Sequence, residues 1–396
     1  MELPAYKRLV KVGEGAFGTI HRAFDTSRGC YVALKRLRLR DIRVMSPALL
    51  RELNALRKVD HPNVMRLLDV YAKGCSVMLV LPYVRHSLGE VLAHLDAPMH
   101  EAHALQYARM LMQGLAAMHD ESLLHRDIKP DNLLITPSGV LQIADMGQAR
   151  LKPSDEGHSL SHAVATRWYR APELLFGARH YDGAVDVWAC GCVIAQFFHI
   201  SPLFPGESDI DQLFRVICLM GTPTLDRWPE IERLPDFHKI AIPECPRVPL
   251  SESLPTSSDS LLALLEQMLG YNPRRRPRAR EVLQHEWMLS AHPCTLTRNL
   301  PPATVVRPTP IARNSVDLRM GDYEIKEQRR HERKASKTLP ETPPGDLKDA
   351  MRFPANSCSH VYTPSTVSEL VKGQLKLFDD LRARMLNGIA PTQTGM

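Results

Sequence analysis

The stretch Leu124–Gly147, LHRDIKPDNLLITPSGVLQIADMG, decides how the rest of the chain is read. It holds three polar clusters at fixed separations: His125-Arg126-Asp127, then Lys129 and Asn132, then Asp145 ahead of Met146-Gly147. Between them, Leu133-Leu134-Ile135 and Val140-Leu141-Gln142-Ile143 are apolar runs of strand length. They are divided by Pro137-Ser138-Gly139, which is turn chemistry. The pattern predicts a hairpin, with Asp127 and Asn132 on the loop leading in and Asp145 just past the second strand. Two carboxylates and a carboxamide then come within reach of one another. Moving a phosphoryl group needs such a set: an acceptor for a hydroxyl proton, a cation to quiet the leaving phosphate, and oxygen ligands for bridging metal ions.

Upstream, Lys11–Ile20 reads KVGEGAFGTI, with Gly13, Gly15 and Gly18 spaced as GxGxxG. That spacing alone also suits the strand-to-helix turn of a dinucleotide-binding fold. A turn at 24–29 and a second strand, Tyr31-Val32-Ala33-Leu34-Lys35, come next in the chain, so the glycines cap a hairpin. Glycine lets such a backbone close over phosphates where a side chain would collide. Glu52 lies further on in SPALLRELNALRKV, whose apolar residues fall at helical spacing, with Ser46 as cap and Pro47 in the first turn. A lysine on a strand and a glutamate on a helix can then pair. Val77–Val84 is an apolar strand ending at Pro82, and Ala102–His119 has helical period.

These motifs, in this order, resemble the eukaryotic protein kinases. The resemblance implies that Asp127 is the catalytic base, that Lys129 steadies the transferred phosphate, and that Asn132 and Asp145 hold Mg2+. It implies that Glu52 aims Lys35 at the α and β phosphates of ATP. The nucleotide is expected against Val12, Gly13, Glu14, Gly15, Ala16, Phe17, Gly18, Ile20, Ala33, Lys35 and Leu134. By the same likeness Leu81 is the gatekeeper, Pro82 marks the hinge between the lobes and lies in the nucleotide site, and Tyr83 and Val84 offer backbone hydrogen bonds to adenine. The implied architecture is α+β and bilobal over residues 1–289. A small five-stranded antiparallel N-lobe with one main helix (1–84) precedes a larger, mainly helical C-lobe (85–289).

The segments HAVATRWYRAPELLFGARHYDGAVDVWACGC and SPLFPGESDIDQLFRVICLMGTPTLDRWPEIERLPDFHKI narrow the likeness to cyclin-dependent kinases, nearest their cell-cycle-related branch. Arg170 would then form a pocket favouring proline just after the acceptor Ser or Thr. Ser161 would be the activating phosphosite, its phosphate faced by Arg51, Arg126 and Arg150. Asp186 would cap the catalytic loop, and Glu173 would pair with Arg276. Implied partners are protein substrates with Ser/Thr-Pro sites, an upstream activating kinase and a cyclin-like activator. SPALLRE departs from the cyclin-reading PSTAIRE, however, and Ala16-Phe17 replaces the inhibitory Thr-Tyr pair. Met146 stands where phenylalanine is usual; flexible and of similar volume, it suits the same core pocket. The alternative, a pseudokinase scaffold acting by partner binding, rests on Met146 alone. An enzyme acting on small molecules is opposed by Ala171-Pro172-Glu173 and Arg170.

Of 396 residues, 44% are hydrophobic and 24% charged, values of an ordinary globular chain long enough for a large core. The opening MELPAYKRLV carries no signal-peptide core, and no run approaches a membrane span. The expected setting is therefore cytoplasm and nucleus, with a cilium or flagellum added by the resemblance. The eight cysteines are scattered and are expected to be reduced thiols. The net charge of +6 sits almost wholly after residue 289, where 16 Lys and Arg face 11 Asp and Glu, against 34 and 33 before it. This Pro-containing basic tail is expected to be mostly disordered. Without interleaved aromatics, nucleic acid is not an expected partner. Thr366-Val367-Ser368-Glu369 is a capping box opening a predicted helix over 366–387.

Overall fold

The computed structural model describes residues 6–15, 18–38, 47–73, 76–152, 159–199 and 201–290. They belong to one of the two units into which the chain divides; the other, Pro301–Tyr362, lies outside the described residues. Ala16, Phe17, Ser46 and the tail with its predicted helix also lie outside them.

The first part is an antiparallel sheet of β1 (Tyr6–Gly15), β2 (Gly18–Asp25), β3 (Cys30–Arg38), β4 (Asp69–Ala72) and β5 (Ser76–Pro82), in the order β1-β2-β3-β5-β4. Alternation along β2 and β3 buries Ala23, Val32 and Leu34 with Met78 and Val80 of β5. The β2–β3 turn is fixed by Asp25, whose buried carboxylate accepts from the backbone N–H of Ser27 and Arg28, from Ser27 Oγ, and from Arg28 Nη1 at 2.7 Å. Burial alone would raise that carboxyl, but these donors hold it at about 2. Between β3 and β4 runs α1 (Pro47–Lys58), which buries Leu53, Ala55 and Leu56.

After β5 come β6 (His86–Ser87), α2 (Leu88–Ala93) and α3 (Glu101–Asp120). Ser87 and Glu90 close a capping box on α2. The predicted hairpin forms as β8 (Leu133–Ile135) with β9 (Leu141–Ile143), Leu134 opposite Gln142, and β6 adds to its free edge. Ahead of it, β7 (Leu123–Leu124) pairs with β10 (Arg150–Leu151), closing a small arch around the polar loop.

The larger part is organised on α5 (Ala184–His199), which follows α4 (Pro172–Leu175) and precedes α6 (Asp209–Met220). Val185 to Phe198 are all buried, so α5 is covered on every side and forms the axis of the lobe. Glu173 and Arg276 meet there as a buried fork, with Nη1–Oε1 at 2.7 Å and Nη2–Oε2 at 2.8 Å. The guanidinium also lies 4.9 Å above the Trp188 ring. Among the described cysteines, Cys190 and Cys192 are buried free thiols, and burial pushes both up.

Candidate active site

Lys35 stands on β3 between Ile20 of β2 and Leu79 of β5, with its side chain almost wholly buried. Its Nζ lies 2.7 Å from Glu52 Oε1 and 2.7 Å from Asp145 Oδ1. Burial alone would strip the proton from such an ammonium, but the two carboxylates outweigh it and hold the Lys35 pKa above its ordinary value. Burial likewise pushes Asp145 up, and the Lys35 ammonium outweighs that, so the carboxyl stays below its usual range. Asp145 holds a left-handed backbone, φ +59°, which turns its side chain away from the strand it follows. Behind it Met146 is fully buried and its turn packs against α1, the place expected of it as a core filler.

The loop carrying Asp127 is tied down from below. Asp186 at the start of α5 accepts the backbone N–H of His125 at 3.0 Å and of Arg126 at 2.8 Å, the capping role expected of it, and the ring of His119 closes its remaining edge at 3.0 Å. Asn132 donates through Nδ2 to the Asp127 carbonyl at 2.8 Å and to its Oδ2 at 3.0 Å. With the nitrogen so used, its Oδ1 is the atom left to accept or to ligate. Asn132 O accepts from Ala144 N at 2.8 Å, which registers this loop against the residue before Asp145. Lys129 Nζ stands 3.4 Å from Asp127 Oδ2.

One participant is not evident in the sequence. Thr166 donates to Asp127 Oδ1 through its N–H at 2.8 Å and its Oγ1 at 2.9 Å, and accepts from Lys129 Nζ at 2.7 Å. Its only sequence cue is its place two residues before Trp168 in VATRWYR.

Above this group, Gly18 faces Gly15 across the β1–β2 hairpin. A Cβ at Gly18 would collide with the Arg36 carbonyl oxygen, so glycine is required there by close approach. Ile20 faces Lys35 from the neighbouring strand β2, and Ala33 lies two residues before Lys35 on β3, opposite Leu81; Pro82 ends β5, and Tyr83 and Val84 come after it as open chain. Leu134 lies on β8, half-buried. Val12 is exposed and Glu14 pairs with Lys11 at 2.6 Å.

Away from the cleft, Arg51, Arg126 and Arg150 gather into one cationic cluster. Burial and the neighbouring guanidiniums of Arg126 and Arg51 lower Arg150 to about 10; burial and Arg126 lower Arg51. Arg51 Nε is buried and has no hydrogen-bond acceptor among the described residues. Ser161 is exposed beside this cluster: its carbonyl accepts from Tyr181 OH at 2.6 Å, and that hydroxyl accepts from Arg126 Nη1 at 2.8 Å. Arg170 donates to the carbonyls of Val164 at 2.9 Å and Ala165 at 3.0 Å, and its Nη1 meets Asp209 at 2.8 Å. Ala165 is held at φ +65°, which costs a residue with a Cβ about 1 kcal/mol.

A buried strand lysine closed on a helix glutamate and an aspartate past a hairpin, over a loop carboxylate tethered by Asn, Lys and Thr, is the arrangement of a protein kinase. The protein kinase domain family matches residues 6–288, and the chain belongs to it as a cyclin-dependent-kinase-family Ser/Thr kinase. It is 44% identical over 297 residues to cyclin-dependent kinase 20 of Rattus norvegicus, covering 74% of this chain and 86% of that protein. The Homo sapiens cyclin-dependent kinase 20 is 42% identical over 297 residues, with the same coverage of each chain, 74% and 86%. Cyclin-dependent kinase D-1 of Arabidopsis thaliana is 38% identical over 297 residues, covering 75% of this chain and 74% of that one. ATP and Mg2+ are what this family generally uses.

Proposed function

We propose that this kinase phosphorylates Ser or Thr followed by proline, uses Asp127, Lys129, Asn132, Asp145, Lys35 and Glu52 as its machinery, and is switched on at Ser161. The observation that carries the substrate reading is Arg170 gripping the Val164 and Ala165 carbonyls while Ala165 sits at φ +65°. Carbonyls drawn back to a guanidinium offer no acceptor to a substrate N–H in the next subsite, and proline has none to satisfy.

In this reading Asp127 accepts the hydroxyl proton, Asn132 Nδ2 and Thr166 keep its two oxygens oriented, and Lys129 lies on the path of the transferred group. Asp145, a half-exposed carboxylate kept ionised by Lys35, and Asn132 Oδ1 are hard oxygen donors. They suit a magnesium ion that takes one or two protein ligands and completes its shell from phosphates and water. That ion would supply neutralisation of charge on the phosphate oxygens. The scaffold alternative loses its one support where Met146 fills the core with Asp145 held on Lys35. A cyclin-like activator, an upstream kinase and a role in cytoplasm, nucleus or cilium rest on resemblance.

The test is a pair of peptides, Ser-Pro and Ser-Ala, given to wild type and to Arg170→Ala. Wild type should prefer Ser-Pro by about tenfold or more, since an unpaired buried N–H costs about 1–3 kcal/mol, and Arg170→Ala should narrow the gap. Equal rates for both peptides in wild type would defeat the proline-directed reading.

A further inference from the structure

The face of the sheet that presents Lys35 carries a cation that none of these roles uses. Along β2, Ala23 and Asp25 turn into the core, so Ile20, Arg22 and Phe24 share the other face. Their cross-strand partners on β3 are Lys35, Ala33 and Tyr31, which places Arg22 one pair outward from the Lys35 ammonium. Its guanidinium carbon lies 5.1 Å from the centre of the Tyr31 ring and 5.6 Å from that of Tyr83. Phe24 meets Tyr31 edge-on at 5.3 Å and steadies that ring. Arg22 Nε is buried and has no acceptor among the described residues, while the guanidinium stands over two aromatic faces.

We propose that Arg22 is a positioning residue for ATP: bridged between Tyr31 of β3 and Tyr83 beyond β5, it pins the chain between the lobes to the sheet. This rests on the reading of 81–84 as the adenine-binding segment. Val32 and Ala33 pair with Pro82 and Leu81, but backbone pairing ends at Pro82, where β5 stops. Beyond that point the Arg22 bridge is what ties Tyr83 back to the sheet. A segment held in its binding conformation loses less freedom when the base docks.

The experiment uses full-length, Ser161-phosphorylated protein with a Ser-Pro peptide and measures KM for ATP, KM for peptide, kcat, calorimetric ATP binding and the thermal midpoint. Arg22→Ala and Arg22→Met should raise both the KM and the dissociation constant for ATP about fivefold. That corresponds to one partly desolvated cation–π contact. kcat, peptide KM and midpoint should stay near wild type, and Arg22→Lys should recover most of the loss. ATP affinity unmoved in Arg22→Ala and Arg22→Met overturns the assignment. So does a joint fall of kcat, peptide affinity and midpoint, which marks general damage to the sheet. Ala33→Phe, which crowds the adenine slot, is the control. If it leaves ATP binding intact, the adenine reading itself fails; if it abolishes binding while Arg22→Ala does nothing, only Arg22 is wrongly assigned.

Discussion

Thr166 Oγ1 lies 2.9 Å from Asp127 Oδ1 and 2.7 Å from Lys129 Nζ, so a single hydroxyl sits between the carboxylate and the ammonium of the 127–132 loop. It also fastens the stretch that follows Ser161 to that loop. Thr166→Ala should lower kcat by about tenfold to a hundredfold, the cost of small misplacement at a reacting centre, with KM for ATP little changed. Thr166→Ser, which keeps the hydroxyl, should retain most of the rate. Steady-state kinetics on one peptide decides it.

The three clustered arginines should respond to charge at Ser161. A phosphate there would give Arg51 Nε an acceptor and oppose both the burial and the mutual repulsion that lower Arg150. Phosphorylated protein should unfold about 3 °C or more above the unmodified form in differential scanning calorimetry, roughly 1 kcal/mol in a domain of this size. Ser161→Ala should lose that gain, and treatment with a Ser/Thr kinase that modifies wild type at Ser161 should leave its rate unchanged.

Glu173→Gln should destabilise the protein by about 3–5 kcal/mol, because it leaves the buried Arg276 charge uncompensated. The double variant Glu173→Leu/Arg276→Met should recover a large part in urea denaturation. If the single variant unfolds at the wild-type urea concentration, the pair contributes nothing to stability.

The Asp25 turn has a pH signature. A carboxyl at about 2 when folded and about 4 when unfolded contributes stability that is fully present above the unfolded value. It is lost as pH falls through the folded one. The stability gap between wild type and Asp25→Asn should therefore be constant from about pH 6 to 8 and shrink steadily below about pH 4. Denaturation midpoints of the two proteins across that range measure it.

Met146→Phe should leave kcat within about twofold of wild type and change stability by less than about 1.5 kcal/mol, as exchanges of similar apolar volume do. A large gain in rate would mean that methionine had been holding the site in a weakened state.

Much of this arrangement can be read from residue order because it is local. The β8–β9 hairpin arises from two apolar runs about a Pro-Ser-Gly turn, and α1 and α3 from helical spacing. Lys35 and Glu52 meet because a strand and the next helix leave few alternatives. Thr166, Tyr181 and Arg22 were not legible. Thr166 depends on a segment folding back across 39 residues, and Tyr181 reaches Ser161 only through the loop after α4. Arg22 is an ordinary surface cation in a strand until two rings close on it. Nothing in local pattern encodes such long-range encounters.

The fork between Glu173 and Arg276 joins positions 103 residues apart. Whatever shortens the chain ahead of residue 276, whether a protease, an early stop or an alternative transcript, would strand Glu173 as a buried carboxylate without its guanidinium and strip Val282, Trp287 and Met288 from the common core, so a product of that kind should fail to fold.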